Sequence, residues 1–365
     1  METWYKVKNV GEVDSPVLLV FPDRAKYNIE LLKTMIIDVD RLRPHVKTHK
    51  TAELTLLQME AGIRKFKCAT IAEANMLGIC GVPDVLLAYP LVGPKIDRFL
   101  DLVQSFPNTR FSTIVDSLTA AQALSEVSML AGFTVPVFID LNIGMGRTGM
   151  LPGESTMALY KKCAEMGGVS VQGFHAYDGH VREVDLAKRT VICDENFAPI
   201  EEMCDLLENE GFARPRIVIG GSPSFPIYAQ CPEVECSPGT FILWDKGYDN
   251  MLPEQGFLPA VVILTRVVSM PATNRLCVDL GYKAIASENP LDNRVFFLDA
   301  PELRPVGHSE EHMVLEASAG HSWKVGDVLY ALPMHICPTV ALYDHLKVVI
   351  DGVVKDKWEV VARKR

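Results

Sequence analysis

Five short segments carry side chains able to do chemistry. In Arg43-Pro44-His45-Val46-Lys47-Thr48-His49-Lys50, a lysine stands between an apolar residue and a turn. Partial withdrawal from water frees a lysine of its proton, so Lys47 is a candidate to form an imine with an aldehyde. A solvated basic loop ending a strand is the alternative. His45 and His49 stand four apart, a metal-ligand spacing that suits a helix better than a strand. In Asn142-Ile143-Gly144-Met145-Gly146-Arg147-Thr148-Gly149, the glycines let backbone approach a ligand and Arg147 offers a rigid fork for an anion. Tyr177-Asp178-Gly179-His180 supplies a ring to stack on a flat ligand and, in His180, an imidazole for acid–base work. Gly220-Gly221-Ser222-Pro223-Ser224 offers N–H groups and hydroxyls suited to a phosphate. In Met334-His335-Ile336-Cys337-Pro338-Thr339, a strand would turn residues i and i+2 to one side. Imidazole and thiolate from His335 and Cys337 would then converge on one ion, with positions left open for substrate. Taken singly, each of the last four segments also reads as an ordinary loop, turn or core stretch.

These segments need elements that hold them. From residue 16 to about 245, short apolar runs alternate with helical stretches and Gly, Pro or Asp punctuation. The expected strands are 16–21, 43–48, 65–70, 84–89, 110–115, 135–141, 169–177 and 216–221. Continuous Val, Ile and Leu runs point to strands covered on both faces, hence to a parallel sheet. Eight such units predict a (β/α)8 TIM-type barrel, α/β in class, with the chemistry at the C-terminal strand ends. A doubly wound open sheet is the runner-up, weakened because no GxGxxG follows the first strand. In this count Gly220–Ser224 follows strand eight. Beyond about 250, Val- and Ile-rich runs broken by Pro, Asn and Gly predict a C-terminal antiparallel β domain. The expected domains are 14–250 for the barrel, and 1–13 plus 251–365 for the β domain.

Composition narrows the field further. The 365 residues fit about two domains. A formal charge of −10 disfavours nucleic acid and an anionic membrane surface. The N-terminus lacks the apolar core of a signal peptide, and no apolar run is long enough to span a bilayer. Nine cysteines at scattered spacing, without a CxxC, suggest buried thiols in a reducing compartment. The expectation is a cytoplasmic protein.

Together the segments resemble the D-threonine aldolase and D-serine dehydratase family, whose members are alanine-racemase-like pyridoxal-phosphate enzymes. RPHVKTHK is similar to the family's cofactor-lysine segment, which implies Lys47 as the imine lysine. GMGRTG resembles the loop whose arginine lies near cofactor and substrate, here Arg147. YDGH is similar to the family's YxGH and puts Tyr177 and His180 beside the cofactor. GGSPS resembles the phosphate turn, with Gly220, Gly221 and Ser222. HICPT resembles the metal pair, His335 and Cys337, for a divalent ion, Zn²⁺ or Mn²⁺. Ser237, before Pro238-Gly239, stands where alanine racemases place an arginine facing the pyridine nitrogen. The resemblance implies a homodimer and a small 3-hydroxy D-amino acid substrate. Cysteine at the second metal position implies elimination of water to a keto acid and ammonia. Retro-aldol cleavage is the alternative, and racemisation with Tyr282 or Tyr343 as second base a further one.

Overall fold

Alternation along the apolar runs decides which face each strand buries. The computed structural model describes residues 3–365. Its strands are, in chain order, Val17–Val20 (β1), Lys65–Cys68 (β2), Asp84–Pro90 (β3), Arg110–Val115 (β4), Val135–Leu141 (β5), Val169–Ala176 (β6), Arg216–Ile219 (β7), Val234–Cys236 (β8), Val261–Ala272 (β9), Arg275–Val278 (β10), Val295–Phe297 (β11), Arg304–His308 (β12), Met313–Glu316 (β13), Val328–Pro333 (β14), His345–Ile350 (β15) and Val353–Glu359 (β16). The chain divides into two compact units. One comprises residues 32–47 and 55–239 with the last two residues, and the other comprises residues up to 31, 48–54 and 240–363.

In the first unit β2 to β8 form a parallel sheet in sequence order. Helices such as Ile71–Ile79, Lys95–Ser105 and Leu118–Leu130 connect successive strands. Thr70 and Ser117 cap the first and third of these by accepting the N–H of Glu73 and Ala120. Leu86, Ile114, Phe138 and Val218, from four strands, form one buried cluster. Residues 42–47 join both edges of this sheet, since Leu42 bridges Cys236 of β8 and His45 bridges Lys67 of β2. The Arg43 N–H donates to the Cys236 carbonyl, and the Lys67 N–H donates to the Pro44 carbonyl. The segment takes the first place, ahead of β2, and closes the ring, then turns into a 3-10 helix at Val46–Thr48. Closure is the barrel arrangement expected from the sequence rather than the open sheet.

Two strand assignments change. Residues 16–21 are not the first barrel strand: β1 pairs antiparallel with β9 and parallel with β15. Every residue of β1 is buried, so composition cannot show which sheet receives it. The eighth strand is β8, a three-residue element, and Gly220–Ser224 therefore follows the seventh. The second unit holds a nine-stranded mixed sheet containing β1 and β9 to β16. Its core includes Val17, Leu19, Val262, Leu264, Tyr330 and Leu332, residues two apart on their strands. None of the nine cysteines forms a disulfide; Cys80, Cys231, Cys277 and Cys337 are only partly buried. Among the described residues no helix is long and apolar enough to cross a membrane.

One buried ion network ties the closing segment to its neighbours. Fully buried Arg43 meets Glu235 Oε2 on β8 at 2.7 Å and Asp84 Oδ1 on β3 at 2.6 Å. Lys65 on β2 meets Glu235 Oε1 at 2.6 Å. Burial pushes the Glu235 carboxyl upward, but Arg43 and Lys65 outweigh it and hold the group below its ordinary value. Its contribution to stability is thus present above the unfolded-state value and is lost as pH falls through the folded one. Arg43→Ala, which strands two carboxylates, is expected to lower stability by about 3–5 kcal/mol in denaturant titration.

Candidate functional site

In the first unit the sequence-predicted groups gather around one aromatic ring. Lys47 Nζ lies 5.1 Å from the Tyr177 ring centroid and the Arg147 guanidinium carbon 5.0 Å. Lys47 is half-buried at the end of the closing segment, whereas Arg147 is exposed on the loop after β5. His180 packs on that loop: its Nε2 lies 2.4 Å from where a Gly144 Cβ would stand, so only glycine fits there. The buried His180 Nδ1 has no hydrogen-bond partner.

The turn after β7 is built, and one of its donors is already engaged. Asp178, buried after β6, accepts the Gly221 N–H at 3.0 Å and also the Ser224 hydroxyl. Ser222 Oγ accepts the Gly239 N–H at 3.3 Å. Gly220 takes a positive φ of 83°, which lets the chain leave β7 sharply. Gly221 thus shows that the turn accommodates an oxyanion, here the chain's own carboxylate. Ser237, at the end of β8, is buried with an unpartnered hydroxyl.

Three further residues complete this interior, and the sequence reading passed over them. Asp140 and His175 are register partners on β5 and β6, with His175 Nδ1 2.7 Å from Asp140 Oδ1. Asp140 Oδ2 also accepts the Thr148 hydroxyl at 2.7 Å. Burial pushes the Asp140 carboxyl up, but His175 and Thr148 outweigh it and its value falls. His175 Nε2 lies 3.4 Å from Nζ of Lys67, whose amine is 5.7 Å from the Tyr177 centroid. Burial and the Lys47 charge lower Lys67 to about 7. The available signals were a charge inside each apolar strand run and the two-residue spacing of His175 and Tyr177.

Within the second unit His335 and Cys337 meet, though not on a strand. His335 is the extended residue before the short helix Ile336–Val340, and Cys337 lies in that helix. Asp245 accepts the Ile336 N–H, and Thr339 donates to the His335 carbonyl, so the chain turns helical where the sequence suggested a strand. Helical winding then brings imidazole and thiol together. Glu288 Oε1 stands 2.5 Å from His335 Nδ1, and Thr48 Oγ1 stands 3.2 Å from Cys337 Sγ. Burial alone would lower the imidazole, yet Cys337 and Glu288 raise it to about 9. Among the described residues no group of three or more His, Cys, Asp or Glu makes a metal cluster. An imidazole oriented by a carboxylate and facing a sulfur nonetheless fits the donor chemistry of a two-ligand open site.

The remaining histidines of RPHVKTHK serve local structure. His45 Nδ1 accepts the Lys47 N–H at 3.2 Å, and His49 Nδ1 accepts the Thr51 N–H at 3.2 Å. Tyr343 donates its hydroxyl to the Ala284 carbonyl at 2.7 Å, which commits the proton a second racemase base would need.

A model of the alanine racemase N-terminal domain matches residues 20–244, and a model described as a putative serine dehydratase domain matches 260–349. A D-threonine aldolase from Arthrobacter sp is 29% identical over 363 residues, covering 97% of this chain and 94% of that protein. A D-threo-3-hydroxyaspartate dehydratase from Delftia sp. is 24% identical over 375 residues, covering 95% of this chain and 97% of that protein. The solved structure of D-threonine aldolase from Filomicrobium marinum matches with a TM-score of 0.87 at 26% identity, over 96% of this chain and 95% of that chain.

Two outcomes follow from these contacts. Burial drives fully enclosed His49 down to about 3. Its folded value lies below its unfolded one, so stability is expected to fall as pH drops from about 6.5 toward 3. His49→Gln should flatten that part of the stability–pH curve measured by thermal unfolding. Asp178→Ala removes acceptors from Gly221 and Ser224 and is expected to cost about 1–3 kcal/mol, with faster amide exchange at Gly221.

Proposed function

Because the chain belongs to the alanine racemase N-terminal domain family, we propose that it is a pyridoxal-phosphate- and divalent-metal-dependent lyase acting on 3-hydroxy D-amino acids. The observation that carries this reading is the gathering of Lys47 and Arg147 about the Tyr177 ring. The unpartnered Ser237 hydroxyl supports it, since a pyridine nitrogen would satisfy that buried donor.

Pyridoxal phosphate, when bound, supplies the electron sink for charge at the substrate α-carbon, and a divalent ion supplies a Lewis acid for the β-hydroxyl. Lys47 Nζ would hold the cofactor and, once released, take the Cα proton. Tyr177 offers the face against which a flat ring lies. Gly220, Gly221 and Ser222 would receive the phosphate, with the Gly221 N–H exchanging Asp178 for the ligand's oxyanion. Arg147 would orient the substrate's anionic end. His180 would give a proton to the departing hydroxyl in elimination, or take the hydroxyl proton in retro-aldol cleavage. His335 and Cys337 would hold the ion, with Glu288 fixing the imidazole.

Elimination of water is the outcome proposed, because Cys337 would be the second metal donor. Retro-aldol cleavage is the second reading, favoured by the 29% identity to a D-threonine aldolase along 97% of the chain. Incubation with D-serine and D-threonine separates them. Pyruvate and ammonia from D-serine are expected, and glycine from D-threonine with no keto acid would establish the second reading instead. Lys47→Ala is expected to abolish the protein's visible absorption with pyridoxal phosphate. Chelation of the metal should stop turnover and leave the colour; retained colour in Lys47→Ala would refute the assignment of that lysine.

A further inference from the structure

Lys67 is a lysine that folding hides without an ion-pair partner among the described residues. It is 3% exposed, and its strand is pinned beside the closing segment by the Pro44 carbonyl. Its amine reaches His175 Nε2 at 3.4 Å, a long contact. His175 Nδ1 is committed to Asp140, so Nε2 presents the lone pair of a neutral imidazole. Among the described residues no carboxylate comes within ion-pair distance of Lys67, and the face of Tyr177 lies 5.7 Å from its amine. Lys47 and Arg147 approach the same ring, so three cations gather around Tyr177. A buried ammonium with no carboxylate in direct contact is unfavourable, and a ligand anion would relieve it.

We propose that Lys67 is an oxyanion-binding residue of this site, holding the carboxylate of the amino-acid ligand while Asp140 and His175 fix its position. The inference rests on the ligand class proposed above and adds a group which that reading leaves out. The turn at Gly220–Ser222 is assigned to the phosphate, so the substrate carboxylate, which Arg147 would meet from the exposed loop after β5, is the oxyanion for which Lys67 is the buried partner. Charged and titratable groups acting on Lys67 are Lys47 and Arg43, which oppose its proton, and Asp178 and Asp140, which favour it. With burial the largest influence, these leave Lys67 near about 7, so an arriving anion draws a proton onto it.

Calorimetry in buffers of different ionisation enthalpy reads that proton directly. The probe is D-lactate, a carboxylate without the amine, added to the cofactor-loaded protein. At about pH 8 wild type is expected to take up part of a proton per carboxylate bound, and at about pH 6 none. Lys67→Met should bind about tenfold more weakly and take up no proton. Lys67→Arg, permanently charged, should bind near wild-type strength without uptake at either pH. Unchanged affinity and uptake in Lys67→Met overturns the proposal; should that variant fail to fold, persistent uptake in Lys67→Arg does so. A second arm adds inorganic phosphate to the cofactor-free protein, and Lys67-dependent uptake with phosphate alone also overturns it. Whether wild type colours with pyridoxal phosphate is read before D-lactate is added, so failure of the Lys47 reading is seen separately.

Discussion

Closure of the parallel ring by residues 42–47 is the constraint from which the site follows. This segment is hydrogen-bonded to β8 on one side and to β2 on the other. Arg43 locks it from within by meeting carboxylates on β8 and β3. A guanidinium buried this deeply tolerates its position only while both carboxylates stay in place. The segment cannot slide without breaking that network, and Lys47 lies four residues further along the same backbone. A positioned amine is thus a consequence of how the barrel shuts.

Low exposure sets the electrostatics inside. Asp140, His175 and Lys67 descend from three strands and form one chain of contacts, with cations from the closing segment and the loop after β5 gathering on Tyr177. Buried away from water, Asp140, His175 and Lys67 act on one another strongly. Asp178 shows the same principle with the opposite sign: a buried carboxylate draws the Gly221 N–H and the Ser224 hydroxyl onto itself. The unit containing the mixed sheet makes its own polar cluster, where Glu288 orients His335 toward Cys337.

Much of the barrel was legible in the residue pattern, because apolar runs flanked by turn residues report burial on both faces. The pattern could not distinguish one fully buried sheet from another, so β1 was assigned to the barrel though it lies between β9 and β15. Nor could it reveal β8, whose three residues include Glu235 and Cys236 and lack a run of apolar neighbours. The local structure of HICPT differs from the strand expected. Spacing of two suits a strand, but Pro338 and the acceptor Asp245 start a helix there.

Read alone, the chain determined its class of fold, the residues of its lysine, arginine, tyrosine and glycine motifs, and the family they resemble. Those features are local, carried by residue type and by spacing within a few positions. Only the tertiary structure decided that Lys67, His175 and Asp140 belong together, that Asp178 engages the turn after β7, and that the segment bearing Lys47 closes the ring. Each of these joins residues separated by many positions in sequence, and such contacts arise from strand order and register, which no local pattern encodes.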